Sequence, residues 1–550
     1  MISRKSFLKS MLAGAAASVI PFKAYAQTGG NIIQTENTLP GTTDWQLTNP
    51  SANGEIQGYA GQDSINLGEY LYVYVSTTAY MFDLEVYRLG YYQGNGASLK
   101  FYIRGIPGTD QGSWVAPNPY PTGATVITSY PDAAGNETNM VDANWGAPIV
   151  LPFDPSYVPG IYIIKLIEQD TGTQWHIPFV LRDDTAAPDI FYKLPFNTDQ
   201  AYNVWGGTSA YDNFRVNPLG LNDRSSYQSF NRPYWLGFGS QHLFLWEYPM
   251  ARFLEELGYN VSYTTNLAIA LGETTLTNAK AVITAGHDEY VSQQERAALQ
   301  SALAAGVNLA WFGANNMFWQ VRHGTDSSTN VGRLLINYKQ SLNQPGYVPY
   351  VDPVSDLGAL GLTLSTDLWA SARINYPEAR LLKQSWEAVA LNFNAFDFVV
   401  KHANHWMYTG TGLNEGDHIP GVIGGEVDLY DLRFLSSGQT ATVVGWSPYS
   451  ANDQSNRITS ALIVEDSSNN TAVFDAGTFF WSVALSDFQS YVYAPPAQQT
   501  GLGGWPVIPE SPALRQMTAN LLSRMISGSP PSTPAMRGQR STWHSLASRP

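Results

Sequence analysis

The first part of the chain alternates apolar and polar side chains with a period of two. Leu71, Val73 and Val75 share one face of a predicted strand, and tyrosines occupy the positions between them. Similar runs recur and are separated by Gly, Pro and Asn turns, with no helical period among them. This pattern predicts an all-β domain, an Ig-like β-sandwich, over residues 51–183. Residues 27–50 are predicted to be an extended lead-in.

The pattern of apolar and polar positions changes after a polar linker that ends at Pro188. Beyond it, short apolar strands alternate with helical segments. Ser292 is a predicted N-cap, with Glu295 as the acid three residues into the helix that follows. The alternation predicts an open α/β domain with a parallel sheet over residues 188–526, whose active crevice lies at the carboxyl ends of the strands. The strands are predicted over 190–194, 260–264, 281–285 and 307–312, and the helices over 248–257, 293–305 and 512–525.

Both termini are predicted to lie outside these domains. Residues 1–26 combine a basic start, a short apolar stretch and the small-residue cleavage motif Ala24-Tyr25-Ala26, which is typical of a signal peptide. The segment Ser3-Arg-Lys-Ser-Phe-Leu-Lys9 resembles a twin-arginine signal, although ordinary Sec export stays open. We therefore expect a bacterial protein that is periplasmic or secreted. Residues 527–550 are predicted to be a disordered tail.

Composition narrows the classes of function. The chain has 550 residues, of which 44% are hydrophobic, so it can bury large cores. It has no cysteine, which excludes disulfides, thiolate metal sites and cysteine nucleophiles. With 45 acidic and 30 basic residues the net charge is −15, so we expect no nucleic-acid partner. No apolar run after the N-terminus is long enough to span a membrane.

Polar segments follow three predicted strands, at 287–290, 315–316 and 475–478. Side chains just beyond strand ends converge in α/β folds and are not consumed by core packing. His287, Glu289 and Asn315 are therefore candidate catalytic residues. The alternative interpretation is that His287 and Asp288 only cap the adjacent turn and helix. No serine-hydrolase elbow, phosphate-binding loop or dinucleotide fingerprint is found in the sequence.

Seven short motifs occur in a fixed order along the chain. They are Gly58-Tyr59, Tyr87-Arg-Leu-Gly-Tyr-Tyr-Gln-Gly-Asn-Gly96, Tyr202-Asn-Val-Trp-Gly-Gly207, Glu247-Tyr-Pro-Met-Ala-Arg-Phe-Leu-Glu255, His287-Asp-Glu-Tyr290, Phe312-Gly-Ala-Asn-Asn316 and Gly421-Val-Ile-Gly-Gly-Glu-Val-Asp428. This ordered set resembles the large (beta) subunit of N,N-dimethylformamidase and its wider family. The resemblance covers most of residues 50–525 and implies a β-sandwich beside an α/β domain like that of class I glutamine amidotransferases. Those amidotransferases use a cysteine nucleophile, which this chain lacks.

The resemblance also implies a mononuclear iron held by two tyrosines and a glutamate. The matching positions are Tyr248, Tyr290 and Glu378, with Glu426 as the alternative third ligand. Ferric iron is a hard Lewis acid suited to phenolate and carboxylate oxygen, and it could polarise an amide carbonyl. Either His287 or Glu289 would then move a proton to the departing amine.

Three functions from different classes follow. The leading hypothesis is an exported amidohydrolase that cleaves a C–N amide bond at iron. The alternatives are a non-catalytic binding or surface protein, and a metal-independent hydrolase in which Glu289 and Glu426 act on a glycan. His405, spaced three residues from His402, is kept as a further catalytic candidate. We expect a small-molecule or polar substrate, and leave open whether the chain forms a homo-oligomer or has a small partner subunit.

Overall fold

The computed structural model describes residues 30–123, 130–211, 224–326, 330–341, 351–488 and 507–529. The predicted signal peptide, residues 1–26, and all but the first residues of the predicted tail, 527–550, lie outside these described residues. Over the described ranges the protein is a mixed α/β structure with several sheets.

Two sheets make up the N-terminal part, one of five strands in the order β2-β8-β7-β4-β5 and one of three in the order β1-β3-β6. The strands are β1 (Ile56–Ala60), β2 (Ser64–Asn66), β3 (Tyr70–Thr77), β4 (Met81–Leu89), β5 (Ala97–Pro107), β6 (Ile149–Pro152), β7 (Gly160–Glu168) and β8 (Gln174–Arg182). The period-two pattern has the expected physical result, because Leu71 and Val73 are fully buried while Tyr70 is 56% exposed. An apolar core containing Trp114 and Trp175 joins the two sheets. Their Ig-like character stays a prediction.

The lead-in is not extended throughout. Residues Ile32–Glu36 form helix α1, because Asn31 caps its first turn and Gln34 completes a capping box. Glu36 is buried and forms an ion pair with Lys100 of β5. This segment therefore packs on the five-stranded sheet.

A seven-stranded sheet is the centre of the described part that follows Pro188, in the order β11-β9-β12-β14-β23-β22-β21. The first five strands of this order run parallel, and β22 and β21 complete the edge as an antiparallel hairpin. The strands of this whole part are β9 (Ile190–Leu194), β10 (Tyr227–Ser229), β11 (Val261–Thr265), β12 (Ala281–Gly286), β13 (Tyr290–Ser292), β14 (Asn308–Gly313), β15 (Trp319–Thr325), β16 (Val331–Ile336), β17 (Gln384–Val389), β18 (Phe396–Val399), β19 (His418–Ile423), β20 (Glu426–Tyr430), β21 (Gln439–Ser450), β22 (Asn456–Asp466) and β23 (Thr471–Asp475).

Smaller sheets and helices flank this sheet. Strands β10, β16, β15 and β13 form a four-stranded sheet, and β17-β20 and β18-β19 form two-stranded ones. The helices are α2 (Phe196–Tyr202), α3 (Glu247–Glu256), α4 (Asn266–Ala270), α5 (Gln293–Ala304), α6 (Ala379–Leu382) and α7 (Pro512–Ser527). None of the described helices is long and apolar enough to cross a membrane. The likeness to a class I glutamine amidotransferase domain stays a prediction.

Helix α5 has half of the predicted capping box. The Ser292 hydroxyl accepts the Glu295 backbone N–H at 3.2 Å, as the sequence predicts. The Glu295 side chain does not return to Ser292, because it accepts hydrogen bonds from Lys193 at 2.6 Å and Asn266 at 2.8 Å. A buried ammonium is a stronger partner for this carboxylate than a backbone amide.

Two buried polar contacts join the N-terminal sheets to helix α3. Arg88 of β4 binds Glu255 through both guanidinium NH groups, at 2.8 and 2.9 Å, and both side chains are fully buried. The Tyr248 hydroxyl donates to the Gly96 carbonyl at 2.8 Å. Gly96 has a φ of +90°, and a Cβ there would lie 2.3 Å from the Tyr248 hydroxyl oxygen, so this contact requires glycine.

Replacing Tyr248 with phenylalanine should lower stability without unfolding the chain. The change removes a buried hydrogen bond, so we expect the free energy of unfolding to fall by about 1–2 kcal/mol. Denaturant unfolding measures this effect. Tyr80→Phe is the matched control, because the Tyr80 side chain is 82% exposed. An equal effect of both substitutions would contradict the assignment of Tyr248 as an interface contact.

His176 should make the fold sensitive to acid. Its side chain is fully buried, its Nε2 lies 2.8 Å from the Trp45 carbonyl oxygen, and burial lowers the pKa of the imidazole to about 3. The unfolded chain takes up this proton below about pH 6.5, so the stability that neutral His176 provides is present above that pH and is lost as the pH falls towards 3.

His176→Gln should remove this part of the pH dependence. Between about pH 7.5 and about pH 5 the loss of unfolding free energy should be smaller in the variant by about 2 kcal/mol. Chemical denaturation at the two pH values measures the difference. His418→Gln, at an exposed histidine, should behave like the unmodified protein, and an unchanged pH dependence in His176→Gln would contradict the expectation.

Candidate functional site

Two adjacent parallel strands end side by side at the candidate site. Strands β12 and β14 pair in register from Ala281 with Asn308 to Gly286 with Gly313. A Cβ on Gly313 would lie 2.2 Å from the Gly286 carbonyl oxygen, so the close approach of the strand ends requires glycine there. Because of this pairing, the two polar segments that follow leave the sheet next to each other.

The segment after β12 is anchored by Asp288. This buried carboxylate accepts hydrogen bonds from Lys193 at 2.5 Å, Trp311 at 3.0 Å and Asn266 at 3.2 Å. The Asp288 carbonyl also accepts the Met317 N–H at 2.8 Å, which ties the segment to the one after β14. The contacts of Asp288 are therefore structural, because its carboxylate and carbonyl oxygens accept hydrogen bonds from neighbouring elements.

Glu289 is the end point of a series of hydrogen bonds. The Lys339 ammonium donates to the Tyr290 hydroxyl at 2.6 Å, which donates to the Tyr211 hydroxyl at 2.6 Å, and this in turn donates to Glu289 Oε1 at 2.8 Å. The Tyr202 hydroxyl donates to the other oxygen, Oε2, at 2.9 Å. Burial and the Glu289 carboxylate both raise the pKa of the three phenols, so they stay protonated and donate.

Lys339 supplies the positive charge that balances this cluster. Its side chain is fully buried, and its ammonium lies 3.0 Å from the centre of the Tyr211 ring and 4.7 Å from that of Trp319. Burial raises the pKa of Glu289, whereas Lys339 opposes that rise. A carboxylate so deep in the protein is stabilised by this opposite charge.

His287 and Glu426 complete the cleft on the other side of Glu289. His287 Nε2 lies 3.2 Å from Glu289 Oε2 and 4.0 Å from Glu426 Oε1. This nitrogen makes no hydrogen bond with the described residues. Burial lowers the pKa of His287 well below its usual range, whereas burial and the nearby Glu289 raise the pKa of Glu426 to about 8. The site therefore presents a neutral imidazole beside a proton-bearing carboxyl.

Asn315 connects the segment after β14 to both acids of β20. Its backbone is left-handed, with φ of +50°, and its N–H donates to Asp428 at 2.8 Å. Its side-chain amide donates to Glu426 at 2.6 Å. The remaining atom, Oδ1, is buried and makes no hydrogen bond within the described part of the chain. Asn315 thus has one acceptor left over beside the cleft.

A second pair of acids lies behind Asn315. Asn316 donates to Asp475 at 3.4 Å, so the segments after β14 and β23 also meet. Burial raises the pKa of Asp475 to about 7, and burial together with Asp475 raises that of Asp428 well above its usual range. Thr478, the other candidate of its segment, instead fixes the backbone by donating to the Val422 carbonyl at 2.8 Å.

The structure gathers only part of the predicted set. His287, Glu289, Tyr290 and Asn315 share one cleft, together with the alternative ligand Glu426. The other three predicted residues, Tyr248, Glu378 and His405, make no hydrogen bond, ion pair or ring contact with these within the described ranges.

The surroundings of those three residues explain the separation. Tyr248 faces Gly96 across the interface between the two parts of the chain, with its ring packed on Phe488 at 4.8 Å. Glu378 is buried at the start of α6, where Arg296 is a neighbouring charge. His405 caps a short turn through the Met407 N–H. These contacts do not bring Tyr248, Tyr290 and Glu378 together, and metal binding by this trio stays a prediction.

A different set of oxygen atoms lies close together beside Glu289. Within the described ranges, no group of three or more histidine, aspartate or glutamate side chains is arranged to hold a metal. The hydroxyls of Tyr202, Tyr211 and Tyr290 and the Glu289 carboxylate, however, are linked by hydrogen bonds with oxygen–oxygen distances of 2.6 to 3.3 Å. Neighbouring ligands of an octahedral ion bound at about 2 Å are about 2.8 Å apart, which is within this range.

Sequence reasoning missed Tyr202, Tyr211 and Lys339. Tyr202 opens one of the motifs that carried the family resemblance, and this was the only signal available for it. Tyr211 and Lys339 stand in segments without a recognisable motif, and they reach Glu289 and Tyr290 from 78 and 49 residues away.

The chain has no match among curated proteins. Among solved structures, a family 123 glycoside hydrolase from Clostridium perfringens aligns with 8% identity over 52% of this chain and 53% of that one. Its TM-score is 0.10, which is too low to carry an argument. The chain thus spans about half the length of that structure.

The family comparison covers the site. The family model described as N,N-dimethylformamidase beta subunit-like, C-terminal, matches residues 83–494. This span includes the strands β12, β14 and β20 and every side chain of the cleft around Glu289. The chain belongs to the N,N-dimethylformamidase beta subunit-like family.

Proposed function

We propose that this protein is an exported amidohydrolase that cleaves a C–N amide bond in the cleft around Glu289. The observation that carries the proposal is the convergence of His287, Glu289 and Glu426 with three tyrosine hydroxyls at the carboxyl ends of β12 and β14. Membership of the family supports the reaction class. The segment at 1–26, with its signal-peptide features, supports export.

The iron site that the family implies is proposed at the tyrosines and Glu289. Tyr202, Tyr211, Tyr290 and Glu289 would hold the ion, in place of Tyr248 and Glu378. A bound ferric ion would supply Lewis acidity towards the amide carbonyl. These oxygen donors suit a hard trivalent metal, and the spacing of their oxygens supports the assignment.

The remaining polar groups of the cleft can handle the protons of hydrolysis. The reaction adds water across the amide: the hydroxyl joins the carbonyl carbon, the C–N bond breaks, and the nitrogen takes the proton. His287 Nε2 makes no hydrogen bond in the described ranges and lies 3.2 Å from Glu289 Oε2, so it is placed to exchange a proton with water in the cleft. Glu426 holds a proton near neutral pH and can give it to the departing amine.

Asn315 and the aromatic walls would place the substrate. The unused Oδ1 of Asn315 lies on the side chain that also binds Glu426, so it can accept an N–H or hold water beside the proton donor. The His287 ring lies 4.4 Å from that of Phe479 and 6.2 Å from that of Trp246, between ring centres. A cleft bounded in this way favours a small amide with apolar substituents.

Metal content should distinguish an iron site at Tyr202, Tyr211 and Tyr290 from one that uses Tyr248. Purified protein should contain iron and show a phenolate-to-iron absorption band, and Tyr211→Phe should lose most of both. Tyr248→Phe is the matched control and should retain the full iron content, because its hydroxyl binds Gly96. Elemental analysis and visible spectroscopy measure this. Iron loss in Tyr248→Phe alone, or a folded protein that takes up no iron, would overturn the assignment.

Removal of the proton donor should slow amide hydrolysis. Glu426→Gln keeps the shape of the side chain and its contact with Asn315 but cannot donate an acidic proton, so we expect kcat to fall about 10²- to 10⁴-fold. Release of amine from N-alkyl formamides and acetamides measures the activity. Glu415→Gln, at an exposed acid paired with Lys401, should leave it unchanged. Wild-type protein that is iron-loaded but inactive on every amide would favour the binding-protein alternative.

A further inference from the structure

A cavity lies at the end of the central sheet that is opposite to the cleft around Glu289. It has a volume of about 200 Å³ and is bordered by the first residues of β23, the last residues of β22 and the carboxyl end of helix α5. Because β23 runs parallel to β14, the start of β23 is at the end of the sheet away from the cleft around Glu289. The cavity is therefore separate from the proposed catalytic site.

Two cations of helix α6 line this cavity. Arg380 is in the helix and Lys383 follows it as its C-cap, with φ of +58°. Neither side chain has a carboxylate oxygen within 4.0 Å among the described residues, whereas most other arginines of those ranges are paired with an acid or with backbone carbonyls. Two unpaired cations beside one cavity are unusual in a chain with a net charge of −15.

The Arg380 guanidinium is held in place without using its donors. It lies between the rings of Tyr376 and Phe434, with its central carbon 5.0 and 4.8 Å from their centres. It makes no hydrogen bond to any described residue, so its N–H groups are available. Contact with the two rings favours this position of the guanidinium, and its free N–H groups can bind an oxyanion at two points.

Lys383 is almost completely buried and only partly satisfied. Its ammonium donates to the Arg380 carbonyl at 2.7 Å, which leaves two of its three N–H donors. Burial, and then the like charge of Arg380, lower the pKa of Lys383, and the Asp466 carboxylate opposes this shift without cancelling it. A negative charge in the cavity would relieve this unfavourable arrangement.

The polar groups around the two cations are already occupied. Asp466, the acid of the cavity, accepts the Ser468 N–H at 2.9 Å and the Gln439 amide at 3.2 Å. The Asn469 amide donates to the Leu303 carbonyl at 3.0 Å. The unused hydrogen-bonding capacity of the cavity is thus mostly that of cationic donors.

We propose that this cavity binds a small organic oxyanion, a compound with one to three carboxylate or phosphate groups, through Arg380 and Lys383. The volume suits a ligand of about the size of citrate and is too small for a polymer. Apolar side chains of Leu381, Val464 and Val473 would contact its carbon skeleton. The proposal does not depend on the reaction at Glu289.

The experiment is titration calorimetry of the full chain with citrate and, separately, with inorganic phosphate at constant ionic strength. Citrate should bind with one site per chain, and Arg380→Gln should weaken binding at least tenfold. Lys383→Gln should weaken binding to the same extent. Because Arg380 is exposed, Arg380→Gln should fold even if Lys383→Gln does not. Lys401→Gln, at an exposed lysine paired with Glu415, is the matched control and should bind as the wild type does.

The outcomes decide between a ligand site and a structural role. Tighter binding of citrate than of phosphate supports an organic anion, and binding of phosphate alone would overturn the proposal of an organic ligand. If neither anion binds, or if the Arg380 and Lys383 variants bind like Lys401→Gln, the proposal is overturned. The two cations would then serve only to offset the negative carboxyl end of helix α5, and their substitution would lower the melting temperature with or without anion.

Discussion

The contact between Gly286 and Gly313 is the constraint on which the candidate site depends. These glycines are the last residues of neighbouring parallel strands, and a side chain on Gly313 would strike the Gly286 carbonyl. The strands can thus stay paired to their ends, so that the segments carrying Glu289 and Asn315 emerge side by side. Lys193 and Trp311 then fix Asp288, which leaves Glu289 to face the tyrosines and Glu426.

Charge balance explains why the cleft is built from tyrosines and a lysine. A buried carboxylate is costly unless a positive charge or several donors compensate it. Here Lys339 compensates Glu289 from a distance, through the hydroxyls of Tyr290 and Tyr211. This arrangement keeps three phenol oxygens and a carboxylate close together, which is the type of donor set that a hard cation prefers.

Two tyrosines with similar local sequence settings have different roles. Tyr248 and Tyr290 both stand at the start of a regular element and both match positions that the family resemblance marks as ligands. Tyr248 turns towards Gly96 in the N-terminal sheets, whereas Tyr290 turns into the cleft. The direction of each side chain is set by what packs against its element, and local sequence does not encode that packing. Tyr202 and Tyr211 fill the place at Glu289 that Tyr248 does not reach.

The sequence by itself determined the elements and the edge of the sheet where chemistry gathers. Strand periodicity, the Ser292 cap and the polar residues after β12 and β14 are local signals, governed by interactions over a few residues. They marked the segments whose side chains His287, Glu289 and Asn315 lie close together, and the catalytic role of these residues stays a prediction. Only the tertiary structure decided the rest: that Glu295 turns to Lys193, and that Tyr211 and Lys339 reach the site. Those contacts join residues 49 to 102 positions apart, and such pairs form because the folded chain brings together groups whose charges and donors complement each other.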